Sequence, residues 1–107
     1  MLVIESPRAV ANRVLIADLG LKNRLPTMSQ FRPMVQAGGL LCYGADLDDL
    51  FRRAAGYVDR VMRGARPSDL PIQQPVKFSL VLNANTARAL NLTIPSSMLL
   101  RADEVIE

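Results

Sequence analysis

The chain has 107 residues, half of them hydrophobic, and a formal net charge of +3. This length fits one small domain or part of a larger one, and the absence of Trp makes its core aliphatic. The sequence contains no His and a single Cys, which excludes Ser-His and Cys-His catalytic arrangements and an internal disulfide. No apolar run approaches the ~20 residues of a transmembrane helix, so no direct membrane insertion is predicted.

The positive charge is distributed among negative charges. Five arginines between residues 52 and 66 lie among five aspartates between residues 46 and 69. A nucleic-acid-binding surface would present a stripe of one sign, so this pattern indicates a solvated helix face and no nucleic-acid partner. The sequence also lacks a phosphate-binding loop and a metal-ligand cluster, and no cofactor is predicted.

The first 44 residues predict three short strands separated by two helices. The predicted strands are Leu2–Ile4, Leu25–Met28 and Leu40–Tyr43. Ser6 is a suitable N-cap for the first helix because Pro7 follows it, and an apolar period extends that helix to about Asn23. Ser29 is expected to cap a shorter helix that ends at Gly38.

The strongest helical pattern follows the third strand. Asp46 is its expected N-cap and Gly64 its expected end. Its apolar stripe consists of Leu47, Leu50, Phe51, Ala54, Val58, Val61 and Met62. Residues 64–75 contain three prolines and predict a stiff, extended connector.

The C-terminal third begins with a strand. Val76–Asn83 alternates apolar and polar residues, as a half-buried strand does. A short helix over Asn85–Leu90, a left-handed cap at Asn91 and a last helix from Ser96 to about Ile106 complete the chain. The order predicts an α/β fold with a three-layer parallel-sheet lobe (βαβαβ), an additional helix, a Pro-rich connector and a C-terminal strand plus helices.

Three loops would follow the first three strands and meet at one edge of that sheet, where ligands bind in open α/β folds. They comprise residues 5–7, 27–29 and 42–44. Their hydroxyl and phenol groups suit a site that orients a polar or anionic small molecule. Simpler roles account for these residues as well: Ser6 and Ser29 as helix caps, Thr27 as a small spacer, Cys42 as a small buried hydrophobic residue and Tyr43 as a packing residue at the strand end.

Catalysis is not predicted from these residues. Cys42 has no neighbouring His or Lys to activate its thiol. Asp103 and Glu104 are adjacent on the predicted last helix, where they would point in different directions and make a poor acid-base pair.

Nearly the whole chain resembles the ABC transporter substrate-binding proteins of the tryptophan/tyrosine type, which have the type I periplasmic-binding-protein fold. The resemblance is carried by RLPTM at residues 24–28, MVQAGGLLCYG at 34–44, LFRRAAGYVDRVMRGARPSDLP at 50–71 and RADEVIE at 101–107. It implies that residues 1–44 belong to the second lobe of such a protein. Residues 45–69 would form a helix that packs on the first lobe, and residues 70–107 the crossover strand and C-terminal helices.

By position, the resemblance implies ligand contacts at Ser6, Thr27, Cys42 and Tyr43. Two residues depart from the family pattern. Cys42 stands where the family usually has Ser, and Ser29 stands where it often has Tyr. The first departure weakens a hydroxyl donor, and the second removes an aromatic wall from the implied site.

The implied function is that of the substrate-binding component of an ABC-type importer, which delivers a small organic solute such as an amino acid to a permease. Family members are periplasmic or extracytoplasmic. The chain shows no signal peptide and would remain in the cytoplasm if expressed as written. It is therefore expected to be a C-terminal fragment or a product with a misplaced start.

A different class of function remains open, that of a stand-alone oligomerising remnant with no ligand role. Without a first lobe, the helix over Leu47–Met62 would expose its apolar stripe. Exposed apolar surface drives self-association, so a homodimer through this helix is expected.

Overall fold

The computed structural model describes all 107 residues as a mixed five-stranded sheet with helices. The strands are β1 (Leu2–Val3), β2 (Met28–Ser29), β3 (Leu41–Ala45), β4 (Phe78–Asn83) and β5 (Glu104–Ile106). The helices are α1 (Pro7–Ala11), α2 (Arg13–Lys22), α3 (Arg32–Gln36), α4 (Leu47–Met62), α5 (Ala84–Ala89) and α6 (Ser96–Arg101), with a 3-10 turn at Pro67–Asp69. The α/β class predicted from the sequence is confirmed.

The sheet has the strand order β1-β2-β3-β4-β5. The first three strands are parallel, as predicted, with Val3 beside Ser29 and Ser29 beside Cys42. Strands β4 and β5 are parallel to each other. Backbone hydrogen bonds join Asn83 N to Leu40 O and Asp46 N to Lys77 O, so residue numbers fall along β4 as they rise along β3. This pair is antiparallel, which makes the sheet mixed.

The predicted last helix was wrong in its second half. Helix α6 ends at Arg101, and Ala102 has extended backbone angles (φ −69°, ψ 132°). The following Asp103 donates its N–H to Leu80 O (2.8 Å) and accepts the Leu80 N–H at its carboxylate (2.7 Å). These bonds align the β-branched pair Val105 and Ile106 with β4, and the sheet therefore overrides a helical pattern.

Two further local predictions failed near β2. Ser29 does not cap α3. It is the last residue of β2, and its hydroxyl donates to Phe31 O (3.0 Å), while Phe31 is the N-cap. Strand β2 also begins later than predicted, because Leu25 donates its N–H to Gly20 O and so belongs to the turn that ends α2.

Three capping predictions are confirmed. The Ser6 hydroxyl accepts the Ala9 N–H (3.1 Å), and the Asp46 carboxylate accepts the Asp49 N–H (3.0 Å). Asn91 has the predicted left-handed backbone (φ 56°). The helix that Ser6 begins is interrupted at Asn12, which the apolar period did not indicate.

The chain forms two compact units, residues 1–44 with 79–107, and residues 45–78. The first unit contains every fully buried side chain. Its buried apolar residues are Ala17, Met34, Val35, Cys42, Val81, Leu82 and Ala87. A buried polar group ties α3 to α5, since Asn83 Nδ2 donates to Val35 O (3.0 Å) and its Oδ1 accepts the Thr86 N–H (3.0 Å).

The second unit consists of α4, the 3-10 turn and the extended segment that leads to β4. No residue of α4 is buried. The Tyr57 hydroxyl donates to Pro71 O, which holds the extended segment beside the helix. Lys77 Nζ lies 3.1 Å from the Asp46 carboxylate.

Candidate functional site

A narrow crevice lies where β1 and β2 end, inside the first unit. It is lined by Val3, Ile4, Glu5, Ala9, Val10, Arg13, Ser29, Phe31, Pro33 and Met34. Its accessible space is about 10 Å³, roughly enough for one water-sized group. The carboxyl edge of the parallel strands is where open α/β sheets bind ligands.

Local sequence chemistry builds this crevice. The Ser6 cap and Pro7 begin α1 directly after β1, so the chain turns sharply and places Val10 over the strand ends. On the other side, the Ser29 hydroxyl bonds to the backbone of Phe31 and fixes the turn into α3. Both walls are therefore held by hydrogen bonds that involve serine hydroxyls.

The crevice has two charged lining residues, and they have opposite signs. Glu5 makes no hydrogen bond or ion pair. Arg13 donates through Nη1 to Val10 O (3.1 Å), which leaves its other N–H groups available. The two side chains are exposed and form no ion pair with each other.

Ser6 and Tyr43, two of the four predicted site residues, are exposed. Ser6 lies at the carboxyl end of β1, as predicted, and its hydroxyl accepts the Ala9 N–H. Tyr43 lies in β3 and is 51% exposed. Successive strand residues face opposite sides, so Tyr43 faces away from the side on which Cys42 and Val35 pack, and it does not line the crevice.

Thr27, the third predicted residue, lies at the other end of the sheet. It precedes β2, and its side chain is 4% exposed. Its hydroxyl accepts the Leu40 N–H (3.2 Å), and it packs against Gly20 and Gly39, where a Cβ atom would lie only 2.8 Å and 3.2 Å from it. The structure thus gives Thr27 a packing role and does not bring it near Ser6.

Cys42, the fourth predicted residue, is 1% exposed and packs with Val35 and Val81 in the core. Burial raises the pKa of its thiol, which disfavours the thiolate that a nucleophile requires. The residue that replaces the family's usual Ser is therefore a core residue in this chain.

Sequence reasoning missed Glu5, Arg13 and Phe31. Residues 5–7 were predicted to lie at this edge of the sheet, but the Ser6 hydroxyl was selected as the ligand contact rather than the Glu5 carboxylate. Arg13 looked like an ordinary helix residue, because the interruption at Asn12 could not be read from the apolar period. The shift of β2 toward Ser29 brings Phe31 to the edge, and the turn chemistry at that serine was the available signal.

The family model for "ABC transporter substrate binding protein" matches residues 2–106. The chain belongs to this family of substrate-binding proteins. Its resemblance to such proteins, inferred from residues 24–107, is thereby confirmed. The family match points to a binding protein rather than an enzyme.

Known relatives extend well beyond the segment they share with this chain. A tyrosine-binding protein of Clostridioides difficile (strain R20291) is 23% identical over 83 residues, which are 78% of this chain and 24% of that protein. The chain thus spans about a quarter of the curated relative's length.

Two solved structures have the same fold. A conserved domain protein from Vibrio cholerae O1 biovar eltor is 22% identical with a TM-score of 0.89, over 97% of this chain and 35% of the other. An ABC domain from Streptococcus pneumonia, solved in complex with L-Trp, is 30% identical with a TM-score of 0.77, over 85% of this chain and 32% of the other. These matches confirm a periplasmic-binding-protein-like fold.

Two further features describe the site's chemical setting. No three His, Cys, Asp or Glu residues cluster in a way that could hold a metal ion. None of the helices has the length and apolar character needed to cross a bilayer.

Proposed function

We propose that the chain supplies part of the binding cleft of an ABC-type importer's substrate-binding component, for a small organic solute such as an amino acid. The crevice at the carboxyl ends of β1 and β2, with Glu5 and Arg13 in its lining, carries the proposal. A site at such a sheet edge binds a ligand through a few polar groups that are set among apolar ones. The relatives named for tyrosine and solved with L-Trp point to the same solute class.

The proposed partner is an ABC permease, which receives the solute from the binding protein, and the proposed location is periplasmic or extracytoplasmic. Membership of the family supports both proposals. In this scheme Ser6 and Tyr43 remain accessible ligand contacts outside the crevice, whereas Thr27 and Cys42 support the sheet from inside.

Thermal unfolding in the presence of candidate solutes tests the proposal. A ligand at ten times its Kd stabilises the folded state by about 1.4 kcal/mol, which raises the Tm of a domain of this size by several degrees. We expect a saturable rise with L-tryptophan or L-tyrosine at millimolar concentration, and none with D-glucose as a matched neutral solute. A flat response to every amino acid contradicts a binding role for this chain.

A second function, that of an oligomerising module, is favoured by one observation. The apolar stripe of α4 is exposed, with Phe51 at 72%, and a groove of about 690 Å³ runs between α4 and residues 67–74. We propose that the chain forms a homodimer through the helix Leu47–Met62. An exposed stripe of this length is unusual on a monomer.

Light scattering at micromolar concentration tests the dimer. The wild-type chain should have the mass of two copies, Phe51→Glu should have the mass of one, and Arg52→Glu on the polar face should remain dimeric. A monomeric wild-type chain contradicts the proposed dimer. A dimer that gives a flat solute screen would favour the oligomerising module over the binding role.

A further inference from the structure

Strand β5 lies at one end of the strand order and pairs with β4 alone. We propose that residues 103–106 form a strap on the edge of β4, which opens while the rest of the first unit stays folded. This inference is independent of the proposed binding role. It gives the sheet a second state, in which β4 presents unpaired backbone groups that an extended segment can pair with.

The first argument is the way in which the strap begins. Asp103 makes two bonds with Leu80, through its N–H to Leu80 O (2.8 Å) and through its carboxylate to the Leu80 N–H (2.7 Å). The bond to the carboxylate is exposed to solvent. Water can replace the carboxylate as the strap leaves, so breaking this bond costs less free energy than breaking a buried one.

The second argument is the ion pair that joins the strap to α3. Arg32 lies 2.8 Å from the Glu104 carboxylate, and the two side chains are 56% and 38% exposed. Exposed ion pairs are screened by solvent and contribute little to stability. This pair therefore adjusts how often the strap opens and does not hold it permanently closed.

The third argument is burial. All three residues of β5 are only half-buried, and Ile106 packs against the core cluster that contains Cys42 and Val81. Opening the strap removes this contact of one half-buried side chain. Separating β3 from β4 would instead uncover Cys42, Val81 and Leu82, which are all fully buried. Because local opening costs less where fewer apolar contacts are lost, the strap should open before the β3–β4 pair does.

Amide hydrogen exchange measured by NMR tests the strap, because two N–H groups of β4 bond to opposite sides. The Leu80 N–H bonds to Asp103 in the strap, whereas the Asn83 N–H bonds to Leu40 O (2.8 Å) beside β3. After correction for intrinsic rates, we expect Leu80 to exchange at least about tenfold faster than Asn83 and to respond less to low concentrations of urea. Equal protection and equal urea dependence would mean that the strap opens only when the whole unit unfolds, which overturns the proposal.

Two variants loosen the strap at different contacts. Arg32→Gln removes the ion pair and should speed exchange at Leu80 about two- to five-fold, with Asn83 unchanged. Ile106→Ala removes the apolar contact and should speed exchange at Leu80 about tenfold relative to Asn83.

Arg63→Gln is the matched control. It removes an exposed ion pair of similar length, with Asp59 (2.9 Å) in the second unit, and should change exchange at neither Leu80 nor Asn83. If either strap variant accelerates Leu80 and Asn83 equally, or leaves Leu80 unchanged, β5 does not open as a separate element and the inference fails.

Discussion

The two units of the chain differ in what they bury. The first unit buries the side chains of Val35, Cys42, Val81 and Leu82. The second unit has a helix with a continuous apolar stripe, yet no residue of α4 is buried. An apolar period therefore predicts that a helix forms and which face it would bury, but not that a partner for this face is present.

The largest expected difference between the units concerns apolar truncation. Leu82→Ala should lower the free energy of unfolding by about 2–5 kcal/mol, because it opens a cavity at a side chain that is only 1% exposed. Ile72→Ala, at a side chain of the second unit that is 99% exposed, is the comparison and should change it by less than about 0.5 kcal/mol. Urea denaturation measures both. Similar losses in the two variants would mean that Leu82 is not a core residue.

Glycine replacement should have opposite signs in the two units. A Cβ atom at Gly44 would lie 2.5 Å from Gln30 O, so Gly44→Ala should destabilise the protein by about 1–3 kcal/mol. A Cβ atom at Gly56, inside α4, would meet nothing within 4 Å, so Gly56→Ala should stabilise it by about 0.5–1 kcal/mol. The same denaturation assay compares the pair. A stabilising Gly44→Ala would contradict the close approach of β3 to the end of β2.

The smallest expected effect concerns pH and the start of α4. The Asp49 N–H, and then the Lys77 ammonium, hold the pKa of the Asp46 carboxyl below its usual range. A lowered folded-state pKa means that this stabilisation is complete above the unfolded pKa and is lost as the pH falls through the folded one. Circular dichroism should therefore show α4 losing helix content as the pH falls below about 4.

Asp46→Asn is the matched control for that measurement. Asn caps helices about as well as Asp but does not titrate, so the variant should keep its helix content at neutral pH and lose less of it in acid. If the two proteins lost helix content in parallel, the cap at Asp46 would not be the titrating group.

Much of the fold was predictable because local chemistry and tertiary contacts agree. The caps at Ser6 and Asp46 and the three parallel strands followed from sequence alone, and the structure confirms them. Strand β5 was not predictable, since residues 104–106 form a strand only by pairing with β4. Tertiary pairing, which no local pattern encodes, decides such short segments.

The candidate site was less predictable because it depends on strand register. A shift of β2 by a few residues moved Thr27 to the amino end of the sheet and brought Phe31 to the carboxyl end. Burial of Cys42 followed from its facing α3, which alternation alone does not assign to one side. Of the three predicted loops, only Glu5 and Ser29 contribute to the crevice lining, because the individual side chains depend on contacts between elements.

The interruption of the first unit by residues 45–78 also has a consequence for the order of folding. The first unit is assembled from two separate stretches of chain, which meet where Asn83 N–H bonds to Leu40 O. That contact closes a loop of about forty residues. The chain therefore loses conformational entropy before the pairing of β3 with β4 contributes any favourable free energy. Contacts within residues 1–44 have shorter sequence separations, so this segment should form first and the C-terminal segment should join it in the slower step.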